Sequence, residues 1–195
     1  MTAILFIEQC LNGLQFGLML FLLAAGLTLV FGIMDMINLA HGSLYMFGAY
    51  FMAQATQASG SFLVGLATAV LATGVLGVVL ELALLRHFYR RDHLSQVLVT
   101  FALLLIANEL VRMIWGNQPI MLALPAALSG PVELLPGLHY PAYRLLIIGT
   151  GLAVALLLYW LVTATRAGML VRAGASNRAM ATAMGVNIGR LFTLV

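Results

Sequence analysis

The segment Asp35-Met36-Ile37-Asn38-Leu39-Ala40-His41-Gly42-Ser43 carries most of the chemistry this chain offers. It places an Asp, an Asn, a His and a Ser inside a stretch that is otherwise apolar. Each such group costs on the order of a few kcal/mol in hydrocarbon unless it is paired or faces a cavity. A path for a polar solute, or a contact between helices, offsets that cost. Asn38 at a helix start could cap the first free amides. The positive end of that helix would then point at an anionic solute group. His41, with Gly42 and Ser43 beside it, could donate to a carboxylate or gate its route. The alternative is a helix starting at the bilayer surface, with Asn38 as its cap and His41 among the headgroups. The residues alone leave both open.

Two further groups invite the same question. Asn12 and Gln15 lie on one helical face, interleaved with a Gly13/Gly17 step that lets another backbone approach closely. They read as a polar stripe along a path or as helix packing, and the residue types favour packing. The stretch from Arg166 to Arg190 turns polar again. Within it, Ala173 to Met184 has the composition of a short helix carrying Asn177 and Arg178, stopped by Gly185 and followed by Val186-Asn187. Such a helix between two spans is either a handle for a soluble partner or an interfacial connection. Glu109 and Arg112 are spaced to pair on one face. Glu81 could snorkel or pair with an arginine of the next loop.

Other chemistries are excluded. His41 and Ser43 lack a third member and a nucleophile motif, so an intramembrane hydrolase is not supported. The histidines are scattered without metal-ligand spacing, and no glycine-rich phosphate loop is present. No catalytic residue, metal or cofactor is therefore assigned. If ATP drives this system, another chain binds it.

Lipid must hold these residues in place. Hydrophobic residues make up 63% of the chain and charged residues 8%, against roughly 25% in soluble domains. Mean hydropathy is +1.08. The basic residues are all Arg, concentrated at Arg86–Arg91 and Arg166–Arg190, as expected for topology signals and not for nucleic acid. Cys10 stands alone, so no intrachain disulfide is expected. No Lys or Arg precedes the first apolar run, which reads as a retained span.

The expected spans are about 12–33, 37–55, 62–85, 94–115 and 143–162, each near the roughly 20 residues a helix needs to cross. All five prolines fall between Pro119 and Pro141, in an ordered loop outside the bilayer. From Arg190 a further apolar run begins and reaches Val195. The expected fold is all-α, a polytopic transmembrane helical bundle of about five complete spans plus the start of a sixth. Residues 1–195 read as a single membrane domain, incomplete at its C-terminus, with 163–189 as a cytoplasmic segment. The Arg-rich stretches belong inside and the proline-rich loop outside. Counting back puts the N-terminus outside, unless the second segment is re-entrant. Trp115, Tyr140 and Tyr143 fit an external aromatic belt, and Tyr159 and Trp160 an internal one.

With these elements in place, the chain resembles the permease subunits of branched-chain amino-acid ABC transporters. The resemblance rests on Asn12-Gly13, on Ala24 to Gly32, on Ile37-Asn38-Leu39-Ala40-His41-Gly42 and on Gly48-Ala49-Tyr50. It continues through Glu109-Leu110-Val111-Arg112, Trp115-Gly116, Arg172-Ala173, Met184-Gly185-Val186-Asn187 and Arg190. It implies an importer in the cell inner membrane, with ABC ATPase subunits inside, a second permease subunit, and a solute-binding protein outside. Path-lining or gating roles would fall to Asp35–Ser43. Coupling to the ATPase would fall to Arg172, Ala173, Asn177, Arg178, Gly185, Val186 and Asn187. The family also includes permeases for urea and short amides. Members are nearer three hundred residues, so a truncated, non-transporting remnant stands as the alternative.

Overall fold

The structure, a computed structural model, describes residues 2–89, 91–122, 125–187 and 189. Arg90 and the run expected to open a sixth span, Arg190 to Val195, lie outside the described residues, as does the side chain of Arg178.

Helix α1 runs unbroken from Thr2 to Met34. The sequence reading started this span near residue 12 because Asn12, Gly13, Gln15 and Gly17 interrupt the apolar run. They do not interrupt the helix. A glycine costs about 1 kcal/mol in a helix, and backbone amides in hydrocarbon have no better partner than their own helix. At 1.5 Å per residue, α1 is about 50 Å long against a hydrocarbon core of roughly 30 Å. It ends at Asp35, which takes the left-handed conformation (φ 52°) and donates its N–H to Phe31 O at 2.8 Å.

Helix α2 (His41–Ser59) begins four residues later than the Ile37 start expected. The cause is Asn38, whose Oδ1 accepts the Ala40 N–H at 3.0 Å while its own carbonyl accepts the His41 N–H at 3.3 Å. This local bond holds the chain in a turn. Ala40, not Asn38, occupies the N-cap position, and it makes no side-chain cap bond. Gly60 (φ 69°) closes α2. Helix α3 (Phe62–Ala83) leads through a 3-10 turn at Leu85–His87 into α4 (His93–Trp115).

The proline-rich stretch is more ordered than a loop. It holds a short helix α5 (Ala126–Ser129) and an antiparallel hairpin, β1 (Pro131–Leu135) and β2 (Leu138–Pro141), paired Val132 to Tyr140. Helices α6 (Ala142–Ala164), α7 (Arg166–Ser176) and α8 (Arg178–Ala183) follow.

The chain divides into two compact units, Met1–Thr28 with Ala123–Asn177, and Leu29–Leu122 with Arg178–Val195. In the first, α1 and α6 run parallel. Asn12 meets Arg144, and one helical stretch further on Leu18 packs over Gly151, where an added Cβ would stand 3.1 Å from the Leu18 Cβ. Leu18, Tyr140 and Ile148 form the buried cluster, with Leu11 and Leu145 against it. Tyr140 is 0% exposed, which removes it from the expected lipid-facing belt. A phenol can be buried this completely because its hydroxyl finds an internal partner.

In the second unit, α2 and α3 form an antiparallel pair through small residues. Gly65 lies against Thr56 and the Met52 carbonyl, Gly48 against Thr73, and Gly77 near Leu44. Helix α4 runs parallel to α2. Trp115 Nε1 donates to Gln54 Oε1 at 3.2 Å, and its ring lies 5.0 Å from that of Tyr50.

Among the described residues, four helices are long and apolar enough to cross a membrane: Ala3–Gly32, Phe62–His87, His93–Trp115 and Ala142–Ala164. Their outer faces carry exposed Leu63, Val70 and Leu71, which suits lipid and not water. The protein is all-α in its spans, polytopic and integral to a membrane. Four of the five spans expected are recovered on length and apolarity. Helix α2, with 19 residues including Gln54 and Gln57, is the one that is not.

Candidate functional site

Burial alternates along 35–43: Met36, Asn38, Ala40 and Ser43 are buried, while Asp35, Ile37, Leu39 and Gly42 are exposed. Asn38 is 8% exposed and Ser43 7%. Met36 and Ala40 are buried beside them. The backbone just ahead of α2 is tied to α4: Thr100 Oγ1, fully buried, lies 3.3 Å from Ile37 O and 3.0 Å from Gln96 O. Gln96, also buried, donates through Nε2 to Phe88 O at 3.2 Å and Arg91 O at 3.1 Å, which ties down the loop before α4. Its Oε1 has no hydrogen-bond partner among the described residues. His41 is half-buried and bonded; Gly42 is exposed, with open space where a Cβ would stand. A non-helical turn thus carries buried Asn38, and the first turn of α2 carries His41 and buried Ser43.

Asn12 belongs to a second polar cluster, in the other unit. Its Oδ1 accepts from Tyr140 Oη at 3.0 Å and from Arg144 Nη1 at 2.5 Å. Arg144 Nε donates to Tyr143 Oη at 3.1 Å, and its guanidinium lies 6.0 Å from the Tyr140 ring centre and 5.8 Å from that of Tyr143. Sequence reasoning missed Arg144. The signal was available: it is a charged residue three positions into an apolar helix. Gln15 is half-buried and outside this network, and nothing approaches Gly13 or Gly17 within 4 Å.

The polar stretch after α6 opens with a tight elbow. Thr165 is the N-cap of α7: its Oγ1 accepts the Gly168 N–H at 3.1 Å and donates to Leu161 O at 2.6 Å. Any Cβ on Gly168 would run into the carbonyls of Leu161 and Val162. Arg172 Nη1 donates to Val162 O across the same junction. Gly168, Val171 and Gly174 form the buried side of α7, while Arg172 and Ala173 are exposed. The single helix expected over Ala173–Met184 is two. Asn177 (φ −154°) is extended and donates its N–H to Ala173 O at 3.1 Å, ending α7 before α8 begins. Gly185 stops α8 as expected. It is left-handed (φ 87°), its N–H reaches Thr182 O at 2.9 Å, and the Val186 N–H reaches Ala181 O at 3.1 Å. This is a Schellman closure, which glycine adopts without steric cost. Asn187 is exposed and has a partner.

The remaining charged groups are local. Arg112 pairs with Glu109 at 3.0 Å in an exposed bridge, as the spacing suggested. Glu81, 7% exposed, accepts from Tyr89 Oη at 2.9 Å. Burial, then that bond to a carboxylate, pushes the Tyr89 phenol above its ordinary value. Asp92 caps α4. Its carboxylate accepts from Ser95 Oγ at 2.7 Å and Ser95 N at 3.1 Å, which holds it below the ordinary carboxylate range.

Polar groups held between apolar helices, with an amphipathic helix docked at the end of one span, define a polytopic α-helical membrane protein built around internal polar sites. The chain belongs to the family described as the permease component of the branched-chain amino acid transport system, which matches over residues 9–195. It is 28% identical over 203 residues to the high-affinity branched-chain amino acid transport system permease protein LivH of Escherichia coli (strain K12), covering 97% of this chain and 65% of that protein. LivH of Salmonella typhimurium is 26% identical over the same span, and BraD of Pseudomonas aeruginosa 25% over 202 residues. The chain thus spans 65% of the length of the curated relatives it matches. No solved structure matches it.

Proposed function

We propose that this chain is the permease of an ATP-driven importer of branched-chain or related amino acids in the cell inner membrane. One observation carries the reading: similarity to LivH and BraD permeases runs through 97% of the chain. The partners are ABC ATPase subunits inside, a second permease subunit and an extracytoplasmic solute-binding protein. The chain is not itself an enzyme; ATP is hydrolysed by its partners, and both compact units serve one permease domain.

The packing supports a five-span arrangement. Helix α2 lies along α3 from Leu44 beside Gly77 to Thr56 beside Gly65, about 18 Å of helix. An element that follows a spanning helix that far crosses with it; Thr56 packs against Gly65, and exposed Gln54 accepts from Trp115 Nε1. Parity agrees. With the hairpin outside and α6 running inward, five crossings make α1 run inward too, parallel to α6. A re-entrant α2 would make them antiparallel. The N-terminus is then outside, and Arg86, Arg91, Arg166 and Arg172 are inside.

On this topology the 35–40 turn lies near the cytoplasmic end of the path. Asn38, His41, Gly42 and Ser43 serve as its gate; Asn12 and Gln15, in the other unit, are separate path-lining candidates. A turn bonded to α4 through Ile37 and Thr100 can switch between two packings as the helices rock. Residues 163–189 take the push from the ATPase, with Arg172, Ala173, Asn177, Arg178, Gly185, Val186 and Asn187 at the contact. Reconstitution of the native-length protein with its partners tests this. ATP-dependent leucine uptake is expected in wild type and is expected to fall at least tenfold in Arg172→Glu with Asn187→Ala. Undiminished uptake in the double variant would remove the coupling assignment.

A further inference from the structure

Arg144 is a cation placed three residues into a membrane-spanning helix, and among the described residues no Asp or Glu pairs with it. It stands half-buried in the first turn of α6, where a guanidinium still gathers compensating partners. Its protein neighbours compensate in part. Asn12 takes one Nη1 hydrogen, Tyr143 takes the Nε hydrogen, and two aromatic rings lie within cation–π reach. These contacts fix the plane of the fork. The Tyr140 hydroxyl is a further partner; a guanidinium has five N–H groups, so donors remain for a ligand.

The neighbours also decide what kind of ligand fits. Arginine only donates, so the Asn12 atom facing it must be the carbonyl oxygen, and that oxygen already accepts twice. The Asn12 amide hydrogens therefore point elsewhere. The Tyr143 oxygen is engaged by Arg144, which leaves its own hydrogen to donate. The unengaged hydrogens here, on the guanidinium, the Asn12 amide and the Tyr143 hydroxyl, are donors. Such N–H and O–H groups around a braced guanidinium suit an anion that only accepts, and the planar fork suits a carboxylate bound through both oxygens.

We propose that Arg144, braced by Asn12, Tyr140 and Tyr143, receives the carboxylate of the transported solute at the outer end of α1 and α6. This rests on the importer reading and deepens it: the site takes amino acids and other aliphatic carboxylates and is indifferent to neutral amides. A lipid phosphate is an acceptor too, and exchange of the lipid headgroup separates the two.

The test measures radiolabelled leucine binding to the native-length permease with its ATPase partners, in phosphatidylcholine nanodiscs without binding protein. Arg144→Gln is expected to weaken binding about 10- to 100-fold, the range for a lost charged hydrogen bond. Arg144→Lys restores part of it. Tyr143→Phe removes the hydroxyl that orients Nε and its free hydrogen, keeps the charge, and weakens binding about 3- to 10-fold. Isocaproate, which keeps the carboxylate and lacks the amine, competes; isoamylamine, which keeps the amine alone, does not. Wild-type affinity in monodisperse Arg144→Gln overturns the proposal, as does competition by isoamylamine alone. So does a fall of wild-type binding to the Arg144→Gln level when phosphatidylglycerol replaces phosphatidylcholine, since a lipid phosphate then owns the site. If wild type takes up no leucine while isocaproate binding persists and is lost in Arg144→Gln, the importer reading fails and the carboxylate site stands.

Discussion

Replacing Gly168 with alanine should release α7 from the end of α6. The new Cβ would lie 2.6 Å from the Val162 carbonyl carbon, and closer still to the oxygens of Leu161 and Val162, where ordinary contact begins at 3.4 Å. The obstacles are backbone, so no rotamer change relieves them. Helix α7 must retreat by most of an ångström. Overpacking of this kind costs about 1–3 kcal/mol. The same retreat loosens the Thr165 cap, worth about 1 kcal/mol, and the bond from exposed Arg172 to Val162 O. Together these give about 2–4 kcal/mol against the docked elbow. Amide exchange of residues 166–176 should then quicken roughly 30-fold or more. Gly149→Ala, in α6 with nothing within 4 Å of the new methyl, is the matched control and should leave exchange unchanged. If α7 couples to an ATPase as proposed, Gly168→Ala in reconstituted vesicles should keep ATP hydrolysis while lowering uptake per ATP. Exchange and coupling in Gly168→Ala equal to those of Gly149→Ala would refute the tight elbow.

Three further outcomes follow from the same packing. Thr100→Val should lower stability by about 1–2 kcal/mol by leaving Ile37 O unpaired, with Thr100→Ser close to wild type, both read by thermal unfolding in detergent. Gly65→Ala should cost about 1–3 kcal/mol by the same measurement, because its Cβ meets Thr56 and stands 3.0 Å from Met52 O. Adding Thr56→Ala should recover part of that loss, since the Thr56 hydroxyl is buried without a partner among the described residues. Asp92 has a lowered carboxylate pKa, so it stabilises the fold above the ordinary value of about 3.9 and loses that contribution as pH falls through its folded value. Unfolding measured from pH 5 downward should show a steeper loss in wild type than in Asp92→Ala, and parallel curves would count against the cap.

Composition and spacing were enough to establish a membrane protein, the rough places of four spanning helices and the stop at Gly185. Lipid excludes charge and leaves a backbone amide only its own helix, so apolar length translates directly into a crossing helix. The Glu109–Arg112 pair was legible for a similar reason: residues three apart on a helix are neighbours whatever else the chain does. Local chemistry misled where a side chain competed with the backbone. Asn38 looked like a cap and instead bonds the Ala40 amide, delaying the helix to His41.

What only the tertiary structure decided are the pairings across large sequence separations. Tyr140 reads as a belt residue until its hydroxyl is seen on Asn12, far away in sequence. Arg144 passes for a stray interfacial charge until α1 supplies the oxygen that holds it. Likewise, nothing near Thr100 in the chain announces Ile37. Periodicity records which face of a helix avoids water, but in a bilayer nearly every face does, so the pattern carries little about which helix lies beside which. That choice is made by small residues, buried hydroxyls and a few polar partners that meet only when the chain has folded.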